Sequence, residues 1–192
     1  MGRIILFVFL VLCTLNGCTV VSAVGGGMVD GALYLFKSEK ESLLIPMRKV
    51  LVATQQTLEA SRLQANLIEP VEDGYILEFS NHKLDGSIHL IRETPELTTV
   101  AARVHKGMGR EKSVEKALFK GIRERAEKVS NHARFDFSAY HNIRSKPTVN
   151  AEKVGWYIPG SELHVFPTQE KGWLQVKMPS GKKAFLKGEI VQ

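Results

Sequence analysis

Between residue 67 and residue 104 lie four short strand-like runs, the last three of which alternate their side chains with period two. The first is Leu67 to Val71. In the second, Tyr75, Leu77 and Phe79 alternate with Ile76, Glu78 and Ser80; in the third, Ile88 and Leu90 alternate with His89 and Ile91; in the fourth, Val100, Ala102 and Val104 alternate with Thr99, Ala101 and Arg103. A β-strand sends successive side chains to opposite faces, so each run predicts a strand with one buried face. Asp73-Gly74, Asp85-Gly86 and Thr94-Pro95 break the runs with turn chemistry. Connections this short join antiparallel neighbours, because a parallel pair needs a crossover of a dozen residues or more.

Helical signals flank this meander. Ser38 and Glu41 match a capping box, but Pro46 would then fall in the third turn, where it costs about 3 kcal/mol. The better reading is a strand ending near Ile45 and a helix with Pro46 in its first turn, running to about Leu63. Met47, Val50, Leu51, Thr54 and Leu58 form its apolar face. A second helix is predicted over 110–129, with Val114, Leu118, Ile122, Ala126 and Val129 buried and Glu111, Lys112, Glu115, Lys116 and Lys120 on a solvated charged face. The order β-α-β-β-β-β-α gives two helices that each need a sheet face, so the expected fold class is α+β, a two-layer antiparallel sheet with two helices.

Residues 135–192 differ in character. They show no amphipathic helix, only short apolar pairs with turns at Pro147, Pro159-Gly160, Lys171-Gly172 and Ser180-Gly181. Five or six short strands in under sixty residues predict a small all-β barrel. Asn142-Ile143-Arg144-Ser145 with Pro147, Val154-Gly155, Ile158-Pro159-Gly160, Leu163 with Val165, Gly172-Trp173 with Val176, and Ser180-Gly181-Lys182 before Phe185-Leu186 resemble the bacterial Src-homology-3 (SH3) domain. Ala184 and Phe185 stand where that family usually has Gly and Trp. The resemblance implies a ligand groove, with Tyr140, Asn142, Arg144, Trp156, Trp173 and Phe185 as its candidate residues. Trp173 reads either as a wall-packing residue or as a groove aromatic, since an indole buries its body while presenting an edge. Arg144 reads either as a holder of an anionic ligand or as a structural donor to backbone carbonyls.

At the other end, Arg3 precedes an apolar run, Ile4 to Leu12, too short to span a bilayer comfortably and suited to a secretory signal. It leads into Leu15-Asn16-Gly17-Cys18, which resembles the lipobox of bacterial lipoproteins. The resemblance implies cleavage between Gly17 and Cys18 and lipidation of Cys18; the alternative is a plain signal peptide cut after Ala23. Cys13 would leave with the signal and Cys18 would be consumed by lipid, leaving no free thiol, in keeping with an oxidising compartment. Thr19 after the cysteine, in place of Asp, implies the outer membrane. Ala23, Gly27 and Gly31 show small-residue spacing, but Gly25-Gly26-Gly27 and Asp30 favour a tether over a helix.

The expected organisation is a signal peptide over 1–17, the lipidated cysteine and tether over 18–37, an α+β domain over 38–130 and an SH3-like barrel over 135–192, with the polar Ser130-Asn131-His132-Ala133 as boundary. Residues 18–129 resemble an uncharacterised family of small Gram-negative lipoproteins, which carries no assigned activity.

Lys plus Arg number 26 against 20 for Asp plus Glu, a net +6 too mild for a nucleic-acid binder. Residues 134–192 hold 9 of the basic and 5 of the acidic groups. The six histidines lack metal spacing; His89 and His105, on adjacent predicted strands, would supply too few ligands even if they met. No nucleophile, phosphate-binding or dinucleotide motif occurs. These observations predict a protein with no metal, cofactor or catalytic residues, anchored to the bacterial outer membrane on its periplasmic side. Its SH3-like part would bind peptidoglycan or an envelope protein; the alternatives are an adaptor of an envelope machine or an accessory wall hydrolase.

Overall fold

The structure, a computed structural model, describes residues 38–188. The signal peptide, lipobox and tether expectations lie outside the described residues. Strand β1 (Glu39–Leu43) is followed by helix α1 (Met47–Ala60), strands β2 (Gln64–Val71), β3 (Gly74–Ser80), β4 (Asp85–Arg92) and β5 (Thr98–Lys106), a two-residue β6 (Gly109–Arg110) and helix α2 (Lys112–Ala126). Then come β7 (His141–Arg144), β8 (Lys153–Tyr157), β9 (Val165–Pro167), β10 (Trp173–Lys177) and β11 (Lys183–Lys187).

Pro46 caps α1, its carbonyl accepting the N–H groups of Lys49 and Val50. The helix stops before Leu63 because Arg62 takes a left-handed φ of 56°, which turns the chain into β2. Its predicted apolar face is buried throughout. Helix α2 starts later than residue 110 because Arg110 pairs with His105 in β6 and the Glu111 N–H is taken by the Val104 carbonyl at 2.9 Å.

The expected two-layer α+β domain with a separate small barrel is overturned. All strands join one 11-stranded antiparallel sheet in the order β1-β5-β4-β3-β2-β8-β7-β11-β10-β9, with β6 attached to β5. The physical reason lies in β2. A self-contained first domain would leave one edge of β2 unpaired, and unpaired edge N–H and C=O groups are a standing liability. Here β8 covers that edge, with Leu67 opposite Tyr157 and Ile68 opposite Trp156. A bulge between Ala65 and Leu67 lets the Asn66 carbonyl accept the Ile158 N–H at 3.0 Å.

Strand β2 also serves two cores. Ile68, fully buried, joins Leu77, Ile88, Leu90, Val100 and Ala102 beneath α1 and α2. Leu67, one residue earlier and on the opposite face, joins Ile143, Tyr157, Leu174, Val176, Met178, Ala184 and Leu186. The second half of the sheet therefore curls around Leu67. Where β8 passes β2 the approach is close, since a Cβ on Gly155 would stand 2.8 Å from the Ile68 carbonyl oxygen.

The segment 130–140 is packed against α1. Arg48 donates to the Ala133 carbonyl (2.8 Å), and Gln55 both donates to the Asp136 carbonyl (3.2 Å) and accepts its N–H (2.9 Å). Phe135 enters the larger core, and the Phe137 ring is the hub of an aromatic cluster, its centroid 4.6 Å from Phe135, 5.9 Å from Tyr140 and 4.5 Å from Trp156.

Candidate functional site

On β7, Ile143 is buried, so its neighbours Asn142 and Arg144 face outward. Trp173 opens β10 directly opposite Lys187 of β11. Tyr140, Asn142, Arg144 and Trp173 come together with His141, Val149, Tyr157 and Lys187 around a shallow depression of about 220 Å³. Its lining contains two permanent cations and no carboxylate. Arg144 is partly committed, since it donates to the Ala151 carbonyl at 2.6 Å and so holds the β7–β8 loop; its remaining guanidinium donors are available to a planar anion.

Two of the six sequence-predicted residues stand apart from this lining. Trp156 is opposite Asn142 in register but stacks on Phe137 at 4.5 Å and packs against the larger core. Phe185 is opposite Arg144 on β11, on the face away from buried Ala184 and Leu186. Tyr140 is both wall and glue: it meets Phe135 and Phe137 as well as the depression. Burial, reinforced by the charges of Glu59 and Asp136, pushes its phenol up to about 12.

His141, Tyr157 and Lys187 form a ridge shared with a second recess of about 590 Å³, lined by Pro159, Leu163, Val165, Leu174 and Leu186. The Tyr157 hydroxyl donates to the Lys187 carbonyl at 3.0 Å, which fixes the ridge. A ligand that crossed it would meet cations on one side and an apolar pocket on the other.

No family model matches the chain, and no curated protein matches it. The geometry of its surface and the motifs in its sequence therefore carry the functional reading.

Sequence reasoning missed a larger polar cleft, about 570 Å³, where the sheet face remote from the helices meets the segment after β8. Glu78, Ser80, Asp85, Ser87 and His105 line it from β3, β4 and β5; Glu162 and His164 close it from the other side. Burial raises the Glu78 carboxyl above its usual range, Glu69 raises it further, and His164 opposes both. His105 Nδ1 is 3.8 Å from Asp85 Oδ2. Period-two alternation placed Glu78 and Ser80 opposite the buried face, but Asp85 was expected in a turn, Ser87 and His105 fell outside the alternating runs, and alternation carries no information about what covers a face. His89 and His105 do not meet: His89 is opposite Ala101, four residues before His105, about 13 Å along the strand. Among the described residues, no group of three or more His, Cys, Asp or Glu is placed to hold a metal ion, and no helix is long and apolar enough to cross a membrane.

Proposed function

We propose that this chain is a lipid-anchored protein of the bacterial outer membrane, facing the periplasm, that works without catalysis as a binding and scaffolding module. The lipobox-like Leu15 to Cys18 supports the anchor. The observation that carries the binding role is the depression between Tyr140, Arg144, Trp173 and Lys187, which joins aromatic surface to positive charge without an opposing carboxylate. Cell-wall glycopeptide offers carboxylates on a frame of sugar and peptide with apolar faces, and cation plus aromatic surface suits such a ligand.

Retention on purified sacculi tests the reading. The ligand is peptidoglycan if the chain is retained and if Trp173→Ala, shown folded by circular dichroism, is not. Binding through the depression outlasts salt above about 0.15 M, where purely surface charge is screened within about 8 Å. A folded chain that sacculi do not retain, but that co-purifies with one envelope protein, makes that protein the partner.

A further inference from the structure

One end of the sheet gathers features that the binding role does not use. The β3–β4 turn (81–84) and the β5–β6 turn (107–108) lie side by side there, because Ser80 is opposite Asp85, and Asp85 is opposite His105. The α1–β2 turn joins them, since Gln64 is opposite Ser80 and Asn81 donates to the Arg62 carbonyl. Chain entry is at the same end: β1 begins with Glu39 opposite Ala102 and runs away from it, so residue 38 is reached at the level of Arg103. The β5 tip projects only about 10 Å further.

At that tip Met108 is fully exposed between two glycines. Arg62, Lys83 and Lys106 are exposed on the three turns around it, and none of them enters an ion pair among the described residues. Of the acids at this end, Glu39 is paired with Lys112 at 3.8 Å and buried Glu115 with Arg110 at 2.8 Å, Asp85 stands 3.8 Å from the His105 imidazole, and Glu59 is exposed on the last turn of α1. Glu111 sits behind the tip at the level of Val104, and Glu162 faces the cleft.

We infer that this end of the sheet is a docking surface for an anionic phospholipid bilayer, with Met108 entering the interfacial region and Arg62, Lys83 and Lys106 meeting the headgroups. The inference deepens the proposed function and rests on its lipid anchor for the local concentration. Only 20 residues, 18–37, separate the anchor from the start of β1, and the coil dimension of 20 residues in general is roughly 25 Å, a reach that covers the distance from the leaflet holding Cys18 to the tip. Clustered basic side chains beside an anchor gain from the negative surface potential of anionic lipid, and an exposed thioether adds apolar burial at the interface. Docking here leaves the far end, with the β7–β8 loop, turned towards the periplasm.

The test uses the chain from Thr19 onward, which keeps every described residue and contains no cysteine. It is measured against vesicles of 70% phosphatidylethanolamine and 30% phosphatidylglycerol, and against phosphatidylcholine alone. Expected is partition to the anionic vesicles that falls by about a hundredfold in the Arg62→Gln/Lys83→Gln/Lys106→Gln variant, at about fivefold per cation. A Lys171→Gln/Lys182→Gln/Lys183→Gln control should bind as the unmodified chain does. A dye on Met108→Cys should be quenched by doxyl-labelled lipid, and one on Val149→Cys should not. Equal loss in both triple variants, quenching at Val149 but not Met108, or no preference for anionic vesicles would overturn the inference. Fatty-acid labelling of the full chain decides the anchor separately: an unlabelled chain whose tip still binds vesicles sinks the anchor and leaves this surface standing.

Discussion

Glu69 on β2 accepts hydrogen bonds from both the backbone N–H (2.8 Å) and the hydroxyl (2.5 Å) of Ser180, 111 residues further along the chain. The carboxylate is buried, 3% exposed, and it ties the turn between β10 and β11 to the first half of the sheet.

Replacing Glu69 by Leu leaves two donors of Ser180 without acceptors and should cost about 1–3 kcal/mol, while Ser180→Ala, which removes only the hydroxyl, should cost about 1 kcal/mol. Denaturant unfolding reads both. Because β2–β8 pairing and the aromatic stack also cross the junction, a protease cut within 130–133 should yield two fragments that co-elute in gel filtration. Fragments that separate without denaturant would show that these bonds do not hold the halves together.

Glu115 is fully buried, gripped by Arg110 through Nε and Nη2 (2.8 Å each) and by the Val104 N–H at 3.0 Å. Burial alone would raise its carboxyl; the Arg110 hydrogen bonds, the Val104 N–H and the Arg110 charge outweigh it and hold the group below its usual 4.5. The associated stability is present above about pH 4.5 and is lost as pH falls through the lower folded value. Arg110→Met should cost about 3–5 kcal/mol by stranding a buried carboxylate, and Glu115→Gln added to it should recover part of that loss. A double-mutant cycle near neutral pH that shows simple additivity would refute the coupling.

His89 is 6% exposed, and its Nε2 stands 3.7 Å from Asp73 Oδ1, too far for a hydrogen bond. Burial lowers its pKa below the usual 6.5; Asp73 pulls upward and Lys40 pushes down, and burial wins. The unfolded chain thus takes up a proton that the folded one refuses. Stability is full above about pH 6.5 and declines as pH falls towards the folded value. Unfolding midpoints of His89→Gln should lose this slope below about pH 6.5; an unchanged slope would assign it to another group.

Tyr140 offers an alkaline counterpart. With its phenol pushed up to about 12, its contribution holds below the ordinary value near 10 and fades as pH rises through 12. Burial also raises the Tyr157 phenol, so absorbance titration at alkaline pH should show two late-ionising tyrosines, of which Tyr140→Phe removes one without loss of fold. Tyr140→Ala should instead cost about 3 kcal/mol through the lost stack on Phe135 and Phe137, so loss of ligand binding in that variant is informative only beside Tyr140→Phe and Trp173→Ala.

Local periodicity reports which side chains share a face, and it does so reliably where neighbours are close in sequence. The strands from Tyr75 to Val104, the buried face of α1 and the turns at Asp73-Gly74 and Thr94-Pro95 were legible for that reason, whereas Asp85-Gly86, expected as a turn, opens β4 because both residues pair with β3 and β5, and the turn falls at 81–84 instead. Four of the six candidate groove residues also meet around one depression. Glu115 was not legible. Its position on α2 reads as solvated, and its burial is offset by Arg110, five residues earlier on β6, together with the Val104 N–H of β5. The cleft between Glu78 and His164 escaped for a related reason, since its walls come from segments about 85 residues apart.

The sequence by itself determined the secondary structure and the faces that must be buried, because propensity, capping and period are properties of neighbouring residues. Tertiary structure alone decided what each face is buried against. The free edge of β2 needed a partner and found β8, and the period-two geometry of that one strand sent Ile68 into one core and Leu67 into the other. Two modules that read as separate therefore share a single sheet, because backbone hydrogen bonding is satisfied by whichever edge is near in space, however far it lies along the chain.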